Sequence, residues 1–81
     1  MNIEYRKLAE KQLQQMSEPT KNRIKTAIDG LPNGDIRKIE GTAGDYGLRV
    51  GKYRVIYTYN DADTIVIVKI QSRGQVYKGG H

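Results

Sequence analysis

The sequence predicts an α+β fold: an antiparallel sheet, made of a short N-terminal strand and a three-stranded meander, with an N-terminal helical hairpin packed on one face. Three observations lead there. Apolar residues recur at helical spacing between positions 9 and 31, β-branched and aromatic residues crowd positions 46–71, and the helical pattern precedes the strand pattern instead of alternating with it. An order of helices first and hairpins after leaves the helices on one side of the sheet.

Taken in order, residues 2–5 form a short strand, after which Ala9, Leu13 and Met16 fall on one helical face at i, i+4 and i+7. Ser17 sits where a helix cap is wanted and Pro19 is tolerated in the first turn that follows. Ile24, Ala27, Ile28 and Leu31 then repeat at i, i+3, i+4 and i+7 until Gly30 and Pro32 end the second helix. A helix this short needs tertiary burial to persist, so its apolar stripe belongs to the core. The connection "KIEGTAGD" leads to strands at 46–50, 53–59 and 64–71.

The 81 residues make one domain, 1–81, with a modest core. With no cysteine there is neither a disulfide framework nor a thiolate metal site, and a reducing cytoplasm is the expected compartment. The chain opens on "MNIEYRKLAEK" with no signal-like run, and no apolar stretch approaches the length of a membrane span. Fourteen Lys and Arg against nine Asp and Glu give a net charge of +5, which favours an anionic partner. From residue 64 to the end there are Lys69, Arg73 and Lys78 but no acid.

Register converts this composition into a surface. With Gly51 and Lys52 as a two-residue turn, Val50 opposes Tyr53, Arg49 opposes Arg54 and Leu48 opposes Val55. A second turn at "NDAD" is expected to set Tyr59 against Thr64, Ile56 against Ile67 and Arg54 against Lys69. The core face then carries Leu48, Val50, Tyr53, Val55, Tyr57, Val66, Val68 and Ile70. The opposite face carries Ile56, Ile65 and Ile67 toward one end and Arg49, Arg54 and Lys69 in a row at the other. Like charges facing each other cost about 0.2–1 kcal/mol per pair, so such a row implies either side chains splayed into water or an anion between them. Asp61 and Asp63 lie at the far hairpin tip and neutralise nothing here, while "QSRGQVYK" brings Arg73, Tyr77 and Lys78 toward the basic end. These placements favour the anion site.

The inventory has no internal histidine, no serine paired with a base, no carboxylate cluster, no phosphate loop and no zinc-ligand spacing. Arginine, lysine and tyrosine suit one reaction well: attack of a ribose 2′-hydroxyl on its own phosphate. There the RNA supplies nucleophile and leaving group, and the protein positions the strand and stabilises developing charge without a metal or cofactor. Tyr77 can stack on a base, assist protonation of the leaving oxygen, or simply pack the chain end.

The segments "KIEG" and "YGLRVGKYRVIYTYNDADTIVIVKIQSRGQVYK" resemble the RelE/ParE superfamily of type II toxin–antitoxin toxins, whose usual pattern runs close to K-L-x-G, W-R-L-R-V-G-x-Y-R-V-I-Y and R-x-x-V-Y. The resemblance extends over essentially the whole chain. It implies a ribosome-dependent messenger RNA endonuclease, cutting the codon in the aminoacyl-tRNA site and silenced by a cognate antitoxin, with DNA contacted only through the antitoxin complex. By motif match, Arg54 takes the place of the transition-state arginine, Arg73 that of the second arginine, Tyr77 that of the "V-Y" tyrosine, and Arg49 the arginine of "L-R-V-G". Lys52, Lys69 and Lys78 then join Arg49 in guiding the RNA backbone.

The sequence departs from that pattern in the strand before the turn. Asp45 and Gly47 stand where the best-known nuclease of the family has strand lysines, so a general base is missing, with Lys52 or Lys69 as the available substitutes. The superfamily also contains inhibitors of DNA gyrase that are not nucleases, and a member that only binds RNA or its antitoxin is a third reading.

Overall fold

Capping and helix-breaking residues mark the ends of the second helix. In the computed structural model, which describes residues 1–42 and 44–72, the chain runs β1 (Asn2–Tyr5), α1 (Lys7–Gln14), α2 (Glu18–Asp29), β2 (Ile36–Lys38), β3 (Asp45–Val50), β4 (Tyr53–Asp61) and β5 (Thr64–Ser72). Ser17 is the N-cap residue of α2, but its hydroxyl donates to Thr20 Oγ1 at 3.0 Å instead of accepting a backbone N–H. Pro19 occupies the first turn, where a missing N–H costs nothing. Gly30 closes the helix with its N–H shared between the Thr26 and Ala27 carbonyls.

The five strands form one sheet in the order β1-β5-β4-β3-β2. It is antiparallel except at one edge, where β1 joins β5 in parallel, Asn2 beside Thr64 through Tyr5 beside Ile67. The chain between β1 and β5 supplies the long crossover that a parallel pair requires. Beyond Tyr5 the β5 edge is taken up by backbone and side chain in turn. Arg6 N–H donates to the Ile67 carbonyl at 3.0 Å. The Gln12 amide of α1 then meets both polar groups of Ile70, Nε2 donating to its carbonyl and Oε1 accepting its N–H, each at 2.7 Å.

Ala9 and Leu13 of α1, Ile24 and Ile28 of α2, and Leu31 just beyond it are buried against Leu48, Val55, Tyr57, Ile65, Ile67 and Ile70 of the sheet. The helical hairpin therefore covers one face, as the sequence predicts. Two features differ from the expected register. Val68 is bulged between the Ile56–Lys69 and Tyr57–Ile67 pairs, and Asn60 between Tyr59–Ile65 and Asp61–Thr64. The first bulge reverses the parity of the outer half of β5, so that Ile65 and Ile67 enter the core while Val66 and Val68 are only half-buried. Hydrophobic alternation alone does not reveal a bulge inside "TIVIVKI", where both faces read as apolar. Ile56 does face away from the helices, yet it is 5% exposed, flanked by Gly47 and Lys69.

The strand β2 is absent from the sequence reading, which treats that region as connection. It pairs with β3, Arg37 opposite Gly47 and Ile36 opposite Leu48. Among the described residues no helix is long and apolar enough to cross a membrane.

Candidate active-site cleft

The β3–β4 hairpin has the expected geometry. Gly51 takes the left-handed conformation, φ +60°, that a tight turn at this point requires, and Arg49 opposes Arg54. Arg49 gives its N–H to the Asp35 carbonyl at 2.9 Å, on the side away from β4. The Arg49–Arg54 pair is therefore the non-hydrogen-bonded kind, in which side chains approach most closely. Both are exposed on the face opposite the helices.

Around them lies an open cleft of about 660 Å³ bounded by Asp35 and Arg37 from the β2 side, Gly47 and Arg49 of β3, Gly51, Lys52, Tyr53 and Arg54 of the hairpin, and Gln71 and Ser72 of β5. Arg37 is the site residue that sequence reasoning missed. A three-residue strand offers too few positions for any period, and only the Ile36–Arg37 alternation hinted at it. Asp35 also corrects the expectation that no acid lies near the cluster. It brings one exposed carboxylate to the rim, but none of the cleft cations forms an ion pair among the described residues, where the ion pair present is Lys21–Glu18 on α2, at 3.0 Å.

The β4–β5 turn falls at Ala62-Asp63, one residue beyond the expected Asp61-Ala62, and because the two bulges offset each other this shifts Lys69 by two residues against β4. Arg54 opposes Gln71, not Lys69, which lies one row back beside Ile56 and outside the cleft lining. The row across the sheet is thus Arg49, Arg54, Gln71, with Arg37 on the neighbouring strand. Arg73, Tyr77 and Lys78 lie outside the described residues.

Gly47 explains the direction of Arg54. A Cβ at residue 47 would stand 3.1 Å from Arg54 Cδ, 3.2 Å from Cγ and 3.6 Å from Nε. The side chain of Arg54 therefore leans from β4 across the bare backbone of β3, toward the strand that carries Arg37. Lys52 Nζ stands 5.5 Å from the centre of the Tyr53 ring, within cation–π reach. Tyr46, Tyr57 and Tyr59 form an aromatic cluster away from the cleft lining. Tyr57 is 1% exposed and stacks with Tyr46 at 5.5 Å, and burial, with the neighbouring phenols of Tyr59 and Tyr46, pushes its hydroxyl up to about 12. It is a neutral phenol under the helices and not a proton donor to the cleft. Among the described residues no group of His, Cys, Asp or Glu could hold a metal ion.

Chemically, three guanidiniums and an ammonium with no carboxylate partner make a binding surface for a polyanion, best for one whose oxygens accept bidentate bonds. The family model for the ParE toxin of the type II toxin–antitoxin system, parDE, matches residues 3–77. The chain belongs to this family of toxins. The toxin also superposes on a chain of the RelB–RelE antitoxin–toxin complex from Methanococcus jannaschii with a TM-score of 0.78 and 26% identity, covering 94% of this chain and 96% of that one. A chain of the archaeal RelE–RelB complex from Pyrococcus horikoshii OT3 gives a TM-score of 0.72 and 31% identity over 91% of this chain and 96% of that one. The RelBE2 complex of Mycobacterium tuberculosis shares the fold, with a TM-score of 0.65 at 22% identity over 89% and 96%. No curated protein matches the chain. The RelE/ParE resemblance read from the "LRVGKYRVIY" segment is thus borne out at the level of family and fold.

Proposed function

We propose that the toxin is a ribosome-dependent endoribonuclease that cuts messenger RNA in the aminoacyl-tRNA site. The observation that carries this reading is the cleft, where Arg37, Arg49 and Arg54 converge on the outer face with no carboxylate paired to them among the described residues. A phosphodiester held there meets a fixed array of positive donors, which lowers the energy of the pentavalent state as negative charge grows on its oxygens. The 2′-oxygen bonds phosphorus and gives up its proton. The 5′-oxygen leaves and takes one, so the products end in a 2′,3′-cyclic phosphate and a 5′-hydroxyl. Arginine stays charged throughout and serves the phosphate. Lys52 guides the backbone at the mouth, and Lys69 from the row behind. Arg73 and Tyr77 by their motif positions, and Lys78 by the basic tail it belongs to, complete the candidate set.

A cognate antitoxin is the expected partner, since the similar chains from M. jannaschii, P. horikoshii and M. tuberculosis come from toxin–antitoxin complexes. An acidic segment on it suits the cleft.

The test is primer extension on ribosomes programmed with a defined message. Wild type should cut within the aminoacyl-site codon, and Arg54→Ala should cut about 10²–10³ times more slowly, the loss typical of one transition-state donor. Because Arg54 is exposed, its melting temperature should hold or rise slightly; a large fall would count against the assignment. The ParE identity of the matched family model favours one second reading, inhibition of DNA gyrase. A folded protein that leaves every message intact but blocks gyrase supercoiling would establish it.

A further inference from the structure

On the helix side of the β3–β4 turn is a second, smaller depression of about 310 Å³, lined by Thr20, Arg23, Ile24, Val50, Lys52 and Tyr53. Lys52 and Tyr53 also line the main cleft, so the two depressions share these residues at the turn. Arg23 of α2 lies over the turn. From an ideal Cβ position on Gly51, its Nη2, Cζ and Nη1 lie at 3.2, 3.7 and 3.8 Å, so the guanidinium covers the turn at the place where any other residue would put a side chain. Among the described residues it has no carboxylate partner, because Glu18 on the same helix pairs with Lys21. The Thr20 hydroxyl accepts from Ser17, which leaves its own hydrogen to donate.

We infer that this depression is a second phosphate subsite, on Arg23, Lys52 and Thr20, for the same RNA strand whose scissile phosphate lies in the cleft. A guanidinium, an ammonium and a hydroxyl donor beside Ile24 and Val50 suit a single anionic group with several oxygens. A strand occupying both would meet Tyr53, which lines each of them. Cations at intervals with an aromatic between them are the pattern by which proteins track a single strand without reading its sequence. The inference rests on the endoribonuclease reading and adds where the strand goes.

The experiment is single-turnover cleavage on programmed ribosomes by wild type, Arg23→Gln and Arg54→Ala, using messages that end at successive nucleotides beyond the cleaved codon. Arg23→Gln should cut a long message roughly fivefold more slowly at subsaturating enzyme in excess over ribosomes, through the half-saturating concentration and not the maximal rate, as expected for one exposed ionic contact. As the message is shortened, wild type should fall to the rate of the variant and the two should converge. Arg54→Ala should be defective at every length. If Arg23→Gln matches wild type on all messages, or is slowed equally on all, the subsite is refuted while the nuclease reading stands. If wild type cuts nothing, that reading fails and this inference with it.

Discussion

At the residue scale, the cleft depends on a side chain that is missing. Gly47 reads in the sequence only as a loss, the absence of a side chain on a strand that lines a basic surface. In the fold it is the clearance over which Arg54 lies, 3.1–3.2 Å from where a methyl group would sit. The backbone there is not in the left-handed region, so alanine is sterically admissible, and in a strand it lowers the unfolded-state entropy that glycine carries. Gly47→Ala should therefore leave the melting temperature unchanged or slightly higher while displacing Arg54 by a few tenths of an ångström or more. Cleavage should fall roughly tenfold, in keeping with the sensitivity of such reactions to misplacement. Gly47→Ala combined with Arg54→Ala should be no worse than Arg54→Ala alone, because the glycine acts through the arginine. Additive losses would show that Gly47 matters for some other reason.

At the element scale, the sheet's weak point is the β5 edge. The strand β1 ends at Tyr5, opposite Ile67, and β5 continues to Ser72 without a neighbouring strand on that side among the described residues. Gln12 imitates the next strand residue for Ile70, satisfying donor and acceptor with one amide. Gln12→Leu keeps the size and removes both bonds, and should cost about 1–3 kcal/mol. The sharper reading is local: hydrogen exchange at the Ile70 amide should accelerate more than at Ile56 on the inner strand. Equal acceleration at both would mean the amide contributes only to global stability. None of this was legible in the sequence, where Gln12 is one polar residue in a polar helix. What was legible had a local signal. The helices follow from the spacing of Ala9, Leu13, Ile24 and Ile28, and the Arg49–Arg54 pairing from Gly51-Lys52. The β2 strand, the bulge at Val68 and the displacement of Lys69 from the row depend on non-local pairing, which leaves no period to read.

At the scale of the whole molecule, the distribution of charge sets activity against stability. The net charge is +5, and Arg37, Arg49 and Arg54 on the outer face gather with Lys52 at the turn around the cleft without an ion-paired acid among the described residues. That arrangement works against the fold, since facing like charges cost about 0.2–1 kcal/mol per pair, and relieving it should stabilise the protein. An anion that binds the folded cleft and not the unfolded chain reverses the balance. At ten times its dissociation constant it adds about 1.4 kcal/mol, which for a domain of this size raises the melting temperature by several degrees. Pyrophosphate at constant ionic strength should therefore raise the melting temperature of wild type well beyond the effect of chloride. Arg49→Ala/Arg54→Ala should start from a higher melting temperature and respond less. A wild-type protein indifferent to pyrophosphate would mean that its arginines are solvated by water and each other's distance, and the cleft would lose its claim to be a phosphate site.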